Sequence, residues 1–277
     1  VMSTTPRDRA RRAALAALGR LAVAAVVIAS TVGAVAVVAV LGRPLTAPVA
    51  GPPAEPEIEP AAVPPGSAAP PGLERLPEVP EVPEQGESDP IREWADEVAN
   101  AVDVPARALV SYANADLAMR DYQPNCKISW ATLAGIGRVE SNHGRYGERV
   151  LDEDARPSSP IIGVPLDGGP GVAAIPDTDG GTLDGDGVHD RAVGPMQFIP
   201  STWQKWSSDG NGDGIGDPHN LDDAAVAAGR YLCSGARDMT TGEGWWGGLF
   251  SYNRSVEYGQ KVFALAETYA DAGSRRS

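Results

Sequence analysis

Residues 129–147 read SWATLAGIGRVESNHGRYG, and this stretch decides how the rest of the chain is read. Trp130, Leu133, Ile136 and Val139 recur at spacings of three and four, which places them on one face of a helix. Ser129 suits the N-cap, because its hydroxyl accepts a bond from an otherwise unpaired amide of the first turn. Gly144 suits the left-handed residue that closes a helix. The helix body is so poor in polar side chains that Glu140, near its C-terminal end, stands out. A carboxyl at the edge of an apolar wall is held neutral by desolvation, which is how a glutamate becomes a general acid near neutral pH. On this helix alone a solvated surface glutamate is the ordinary reading, so the assignment depends on the other segments.

Composition divides the chain into three parts. Residues 1–43 carry six arginines and one aspartate, residues 44–90 nine acids and one arginine, and residues 91–277 27 acids and 16 bases. An acidic main domain argues against a nucleic-acid partner, which requires a basic face. It is compatible with bound cations and with neutral or cationic sugar polymers. The two cysteines, Cys126 and Cys233, form no metal-binding pattern. In an oxidising compartment they are expected to pair; otherwise they are two buried thiols.

Arginines 7, 9, 11 and 12 precede an apolar run over 21–42, long enough to cross a bilayer as a helix. The basic flank keeps the N-terminus inside and exports the chain beyond Arg43, so a single-pass anchor at the cell membrane is expected. A cleaved signal peptide is the competing reading, with Ala34 and Ala36 as small residues at a cleavage site. Residues 44–90 hold 14 of the 25 prolines and almost no aromatics, and they read as a disordered, semi-rigid spacer. At about 3.1 Å per residue it would reach roughly 140 Å.

The folded domain is expected over 91–277 and mainly helical. Helices are predicted at 91–103, 106–120, 222–233 and 256–271, with a shorter one around 245–253. The glycine-, proline- and aspartate-rich stretch 148–190 reads as a long loop, which tends to be functional in a compact domain. No segment alternates convincingly enough to be called a strand.

Three further segments bear on Glu140. In AVGPMQFIPSTW (192–203), Gly194 and Pro195 force a turn, Gln197 presents an amide, and Pro200 opens another turn or helix. In YNRSVEY (252–258), Tyr252, Asn253 and Tyr258 offer ring faces for sugar C–H groups and an amide for hydroxyls and N-acetyl groups. GRYL (229–232) adds Tyr231. Each segment alone is more ordinarily explained by packing or capping.

In this order, GRVESNHGRYG, AVGPMQFIPSTW, GRYL and YNRSVEY resemble the lytic murein transglycosylases, in particular the membrane-bound B-type family and its actinobacterial relatives. The resemblance covers 91–277 and implies a lysozyme-like domain of the goose-type or soluble-lytic-transglycosylase-like kind, with long acidic loops. It implies that Glu140 is the sole catalytic acid, and that Ser141, Gln197, Tyr231, Tyr252, Asn253 and Tyr258 line the sugar cleft. The substrate implied is the glycan strand of peptidoglycan, and the protein a monomer. Glu140 would protonate the oxygen between N-acetylmuramic acid and N-acetylglucosamine, then accept the proton of the muramic C6 hydroxyl as it closes on C1. The product is a 1,6-anhydro end. The chain departs from the B-type pattern in its long 148–190 loop.

Three alternatives stay open, one of them a calcium-stabilised scaffold that presents the domain to a partner at the wall. A hydrolase of the lysozyme type needs a second carboxylate, for which Glu148, Asp152, Glu153, Asp154, Asp184, Asp186 and Asp190 are candidates. A wall-binding module would keep the cleft without turnover.

No cofactor is expected in the chemistry, but a structural calcium ion is. Asp209, Asn211, Asp213 and Asp217 fall at positions 1, 3, 5 and 9 of an EF-hand-like loop, with Gly214 at 6 and the Ile215 carbonyl at 7. Position 12 is Asn220 rather than glutamate; the resembling family closes a similar loop with a later acid, here Asp223. The 177–190 segment repeats the aspartate habit with poorer spacing. His143, His189 and His219 share no ligand pattern and read as surface or loop residues.

Overall fold

In the computed structural model the described residues are 57–71, 76–77 and 89–275. The basic segment and the apolar run over 21–42 lie outside them. Among the described residues no helix is long and apolar enough to cross a membrane.

Among these residues, seven helices and one two-stranded sheet form the fold. Helix α1 spans Pro90–Ala99, α2 Ala106–Tyr122 and α3 Trp130–Ser141. Strands β1 (Ile162–Pro165) and β2 (Arg191–Val193) pair antiparallel, with Ile162 opposite Val193 and Pro165 opposite Arg191. Helices α4 (Pro200–Trp206), α5 (Leu221–Leu232), α6 (Gly242–Tyr252) and α7 (Val256–Ser274) complete it. The strands escape sequence pattern because three or four residues are too few to alternate.

Helix α3 is the buried centre. Trp130, Leu133 and Ile136 are fully buried, and the helix packs most extensively on α7 and also on α2. Ser129 caps it by accepting a hydrogen bond from Thr132 N at 3.2 Å. Its C-terminal end turns left-handed two residues earlier than Gly144, at Asn142 (φ 52°), and continues so through His143 (58°) and Gly144 (83°). The close approach of α2 depends on Gly137: a Cβ there would lie 2.8 Å from the Tyr112 ring carbon Cζ and nearer still to its hydroxyl.

Cys126 and Cys233 form a disulfide, with Cα atoms 5.5 Å apart, which joins the segment before α3 to the end of α5. By the chain-entropy argument, closing a loop of this length contributes about 4–5 kcal/mol.

The spacer reading needs correction over 57–71. Ala61, Val63, Ala68 and Ala69 pack against the core, and Leu76 belongs to it. Ala61 N donates to Gln260 O, Gln260 Nε2 to Val63 O and Trp246 Nε1 to Ala68 O. Proline and alanine bury little surface on their own, but the finished faces of α6 and α7 supply the apolar partner that the segment lacks in isolation.

Candidate active site

Glu140 sits in the last turn of α3, half-buried. Tyr258, from the first turn of α7, donates its hydroxyl to Glu140 Oε1 at 2.6 Å. Burial pushes the Glu140 carboxyl up from its ordinary 4.5 to about 7, and the Tyr258 hydrogen bond opposes part of that rise. The Tyr252 and Tyr258 phenols are held well above their usual range, first by burial and then by the neighbouring Glu140 charge. Both therefore remain hydrogen-bond donors at any working pH.

A cavity of about 240 Å³ opens over Glu140. Gln197, Tyr231, Tyr252 and Asn253 line it, together with Leu166, Ala192, Phe198, Ile199, Thr202 and Ser251. Neither Leu166 nor Ala192 is singled out as a site residue by the sequence; they bring the 148–190 loop and β2 to the cleft wall. Of the residues lining this cavity, one is acidic, Glu140.

The turn bearing Gln197 is fastened from two sides. Ser141 Oγ donates to Pro195 O at 2.6 Å and accepts from Gly144 N, and Tyr252 Oη donates to Met196 O at 2.6 Å. Gln197 itself is left-handed (φ 49°), with Nε2 bonded to Gly194 O at 2.9 Å. Gly194 (φ 76°) lies so close to the Pro218 carbonyl that a side chain there has no room. The expected role of Ser141 is corrected accordingly: it is buried with its hydroxyl engaged on both sides, so it holds the turn and does not face sugar. Tyr258 is 8% exposed and acts on Glu140. Tyr231 and Tyr252 lie 5.7 Å apart by ring centroids, and Trp206 stacks on Tyr231. Asn253 caps α6, and its Oδ1 accepts from Ser255 N.

His143 also departs from the surface reading. It is fully buried, with Nδ1 3.1 Å from Tyr112 Oη and its ring against Tyr269. Burial, then the Arg145 and Arg138 charges, keep it neutral. It braces the left-handed corner after Glu140. No signal in the sequence marks Tyr112 as its partner.

Five of the seven candidate second carboxylates are engaged in the loops, and the other two, Glu148 and Asp154, are exposed. Asp190 accepts from Thr178 N and Oγ1, Asp184 from Asp186 N and Arg191 N, and Asp186 from the Arg191 side chain. Asp152 accepts from Arg156 N, and Glu153 pairs with Arg92.

In the 209–217 loop, Asp209 accepts from the amides of Gly212, Asp213 and Gly214. Asn211 Oδ1 accepts from Asp213 N and Asp213 Oδ1 from Ile215 N. Asp223 accepts from the amides of Gly210, Asn211 and Asp217, closing the loop onto α5. Asp217 pairs with Arg156 through one oxygen and accepts from His219 N with the other. Among the described residues, Asp177, Asp179 and Asp190 bring carboxylate oxygens within 4.8 Å of one another.

Residues 186–247 match the family described as Transglycosylase SLT domain. The match runs from the end of the 148–190 loop into α6 and contains Gln197 and Tyr231; Glu140, Tyr252, Asn253 and Tyr258 lie outside it. Among solved structures the chain is similar to the Escherichia coli lytic transglycosylase Slt35 in complex with bulgecin A. The identity is 14%, over 65% of this chain and 78% of that one, with a TM-score of 0.35. No curated protein matches. The domain match, set beside the acid in its cleft, supports an enzyme that acts on peptidoglycan.

Proposed function

We propose that the chain is a peptidoglycan lytic transglycosylase, related to the B-type family, that cleaves the bond between N-acetylmuramic acid and N-acetylglucosamine. The observation that carries this reading is a lone carboxyl in a sugar-sized cleft, pushed by burial to about 7. Near neutral pH such a group is partly protonated and can act as acid and then as base. Glu140 donates its proton to the departing sugar oxygen, breaking the C1–O bond through an oxocarbenium-like state. It then takes the proton of the muramic C6 hydroxyl, whose oxygen bonds to C1. Atoms balance without water. Tyr258 holds the carboxyl in place throughout, Gln197 and Asn253 offer amides to the sugar, and Tyr231 and Tyr252 offer ring faces. The lack of a second acid in the cleft lining, among the described residues, disfavours the hydrolytic alternative.

The domain is proposed to work as a monomer on the wall side of the cell membrane, tethered through the apolar run over 21–42. A calcium ion in the 209–217 loop is proposed as a brace only. Asp209, Asp213 and Asp223 offer oxygens to it, while Arg156 on Asp217 would have to yield.

The test is mass spectrometry of fragments released from purified peptidoglycan by the full chain, with Glu140→Gln as control. Anhydromuramic ends that disappear in the variant support the proposal. Reducing ends identify a hydrolase, and binding without release by either protein identifies a wall-binding module.

A further inference from the structure

The cavity over Glu140 does not end at Tyr231 and Ser251. Both residues also line a second cavity of about 590 Å³, with Gly247, Phe250 and Arg254. Gly247 and Phe250 line a third in turn, of about 620 Å³, with Glu243, Trp246 and the turn Pro65-Gly66-Ser67. Glu243, Trp246, Gly247, Phe250 and Ser251 fall at helical spacings of three and four, so one face of α6 floors the whole path. At 1.5 Å per residue that face is about 12 Å long. The far wall is the proline-rich segment described above, and its seat is shaped for it. A Cβ on Gly242 would lie 2.7 Å from Ala68 N and closer still to Gly66 O.

Resting on the proposed function, we infer that the wall polymer continues from Glu140 along this face of α6, and that the turn at residues 65–67 forms the wall of a distal subsite. The occupant is a second stretch of the same glycan strand with its carboxylate-bearing peptide stem. Tyr231 and Phe250, both half-buried, give ring faces, and exposed Arg254 gives a cation to an otherwise acidic domain. The shared walls favour one continuous ligand over a separate protein partner. The segment leading toward the apolar run thus becomes part of the substrate groove.

Binding is measured in a Glu140→Gln background of the full chain, so that turnover does not intervene. The probes are purified glycan strands, compared with the shortest disaccharide-peptide fragments. Gly242→Leu, which forces the segment off α6, and Arg254→Ala are each expected to weaken long-strand binding about tenfold, or about 1.4 kcal/mol. Short-fragment binding should stay unchanged. Unchanged long-strand affinity in both variants overturns the inference, as does an equal loss on long and short probes. If Gly242→Leu does not fold, Arg254→Ala decides. Length-dependent loss of binding in a protein whose wild type releases no fragments would overturn the proposed function and leave the groove standing. Release of anhydro fragments without length-dependent loss would do the reverse.

Discussion

The Tyr258 hydroxyl donates a 2.6 Å hydrogen bond to Glu140 across 118 positions of sequence, joining the end of α3 to the start of α7. These two helices form the most extensive pairing in the fold, so the contact rests on the core. Burial raises the acid and Tyr258 lowers it; the balance is about 7.

Replacing Tyr258 with Phe removes the opposing influence. The alkaline limb of the pH–rate profile for fragment release should move up by about one to two pH units, the equivalent of about 1.5–3 kcal/mol for a hydrogen bond to a charged group. The maximal rate should fall as the carboxyl loses its fixed orientation. An unchanged limb would show that Tyr258 does not tune Glu140.

Stability carries the same signature. The folded-state pKa of Glu140 lies above its ordinary 4.5, so the folded state binds the proton more tightly. The resulting stability is present in acid and is lost as pH rises from about 4.5 through about 7. With its partial exposure discounted, the swing is of order 2 kcal/mol. Glu140→Gln, neutral at every pH, should lack that loss and should be the more stable protein at about pH 8. Denaturant melts at acid and alkaline pH test this, and equal slopes for the two proteins would contradict it.

Much of this site is legible in residues 129–147. The apolar spacing and the Ser129 cap predict α3, and the scarcity of polar groups on it singles out Glu140. Pattern also locates α2, α5 and α7. The hidden part is what other elements do to a residue. Family resemblance places Ser141 and Tyr258 against sugar, yet the first secures the Pro195 carbonyl and the second secures Glu140. His143 reads as exposed because nothing local announces that Tyr112 will reach it. The 57–71 segment looks unfoldable by composition, and its partner faces on α6 and α7 are nearly 200 residues away in the chain.

Gly137 tests the packing beneath the site. Gly137→Ala drives a methyl group into the Tyr112 ring and hydroxyl, which also hold His143. The cost should be about 1–3 kcal/mol, as for other overpacked cores, with fragment release falling along with it. A neutral effect in thermal melts would mean that α2 is free to move away from α3.

Calcium should raise the melting temperature and leave the pH–rate profile where it was. At a hundredfold excess over its dissociation constant an ion stabilises by about 2.7 kcal/mol. Asp223→Ala should abolish the shift, because Asp223 closes the 209–217 loop. A shift that survives Asp223→Ala and is lost in Asp177→Ala would place the ion in the 177–190 loop instead.

The central claim is that one carboxyl performs both proton transfers and water takes no part. Digestion of purified peptidoglycan in heavy-oxygen water tests it most directly, with the released muramic ends weighed by mass spectrometry. The account predicts anhydro ends that carry no heavy oxygen, and none from Glu140→Gln. Reducing ends that carry the label would contradict it.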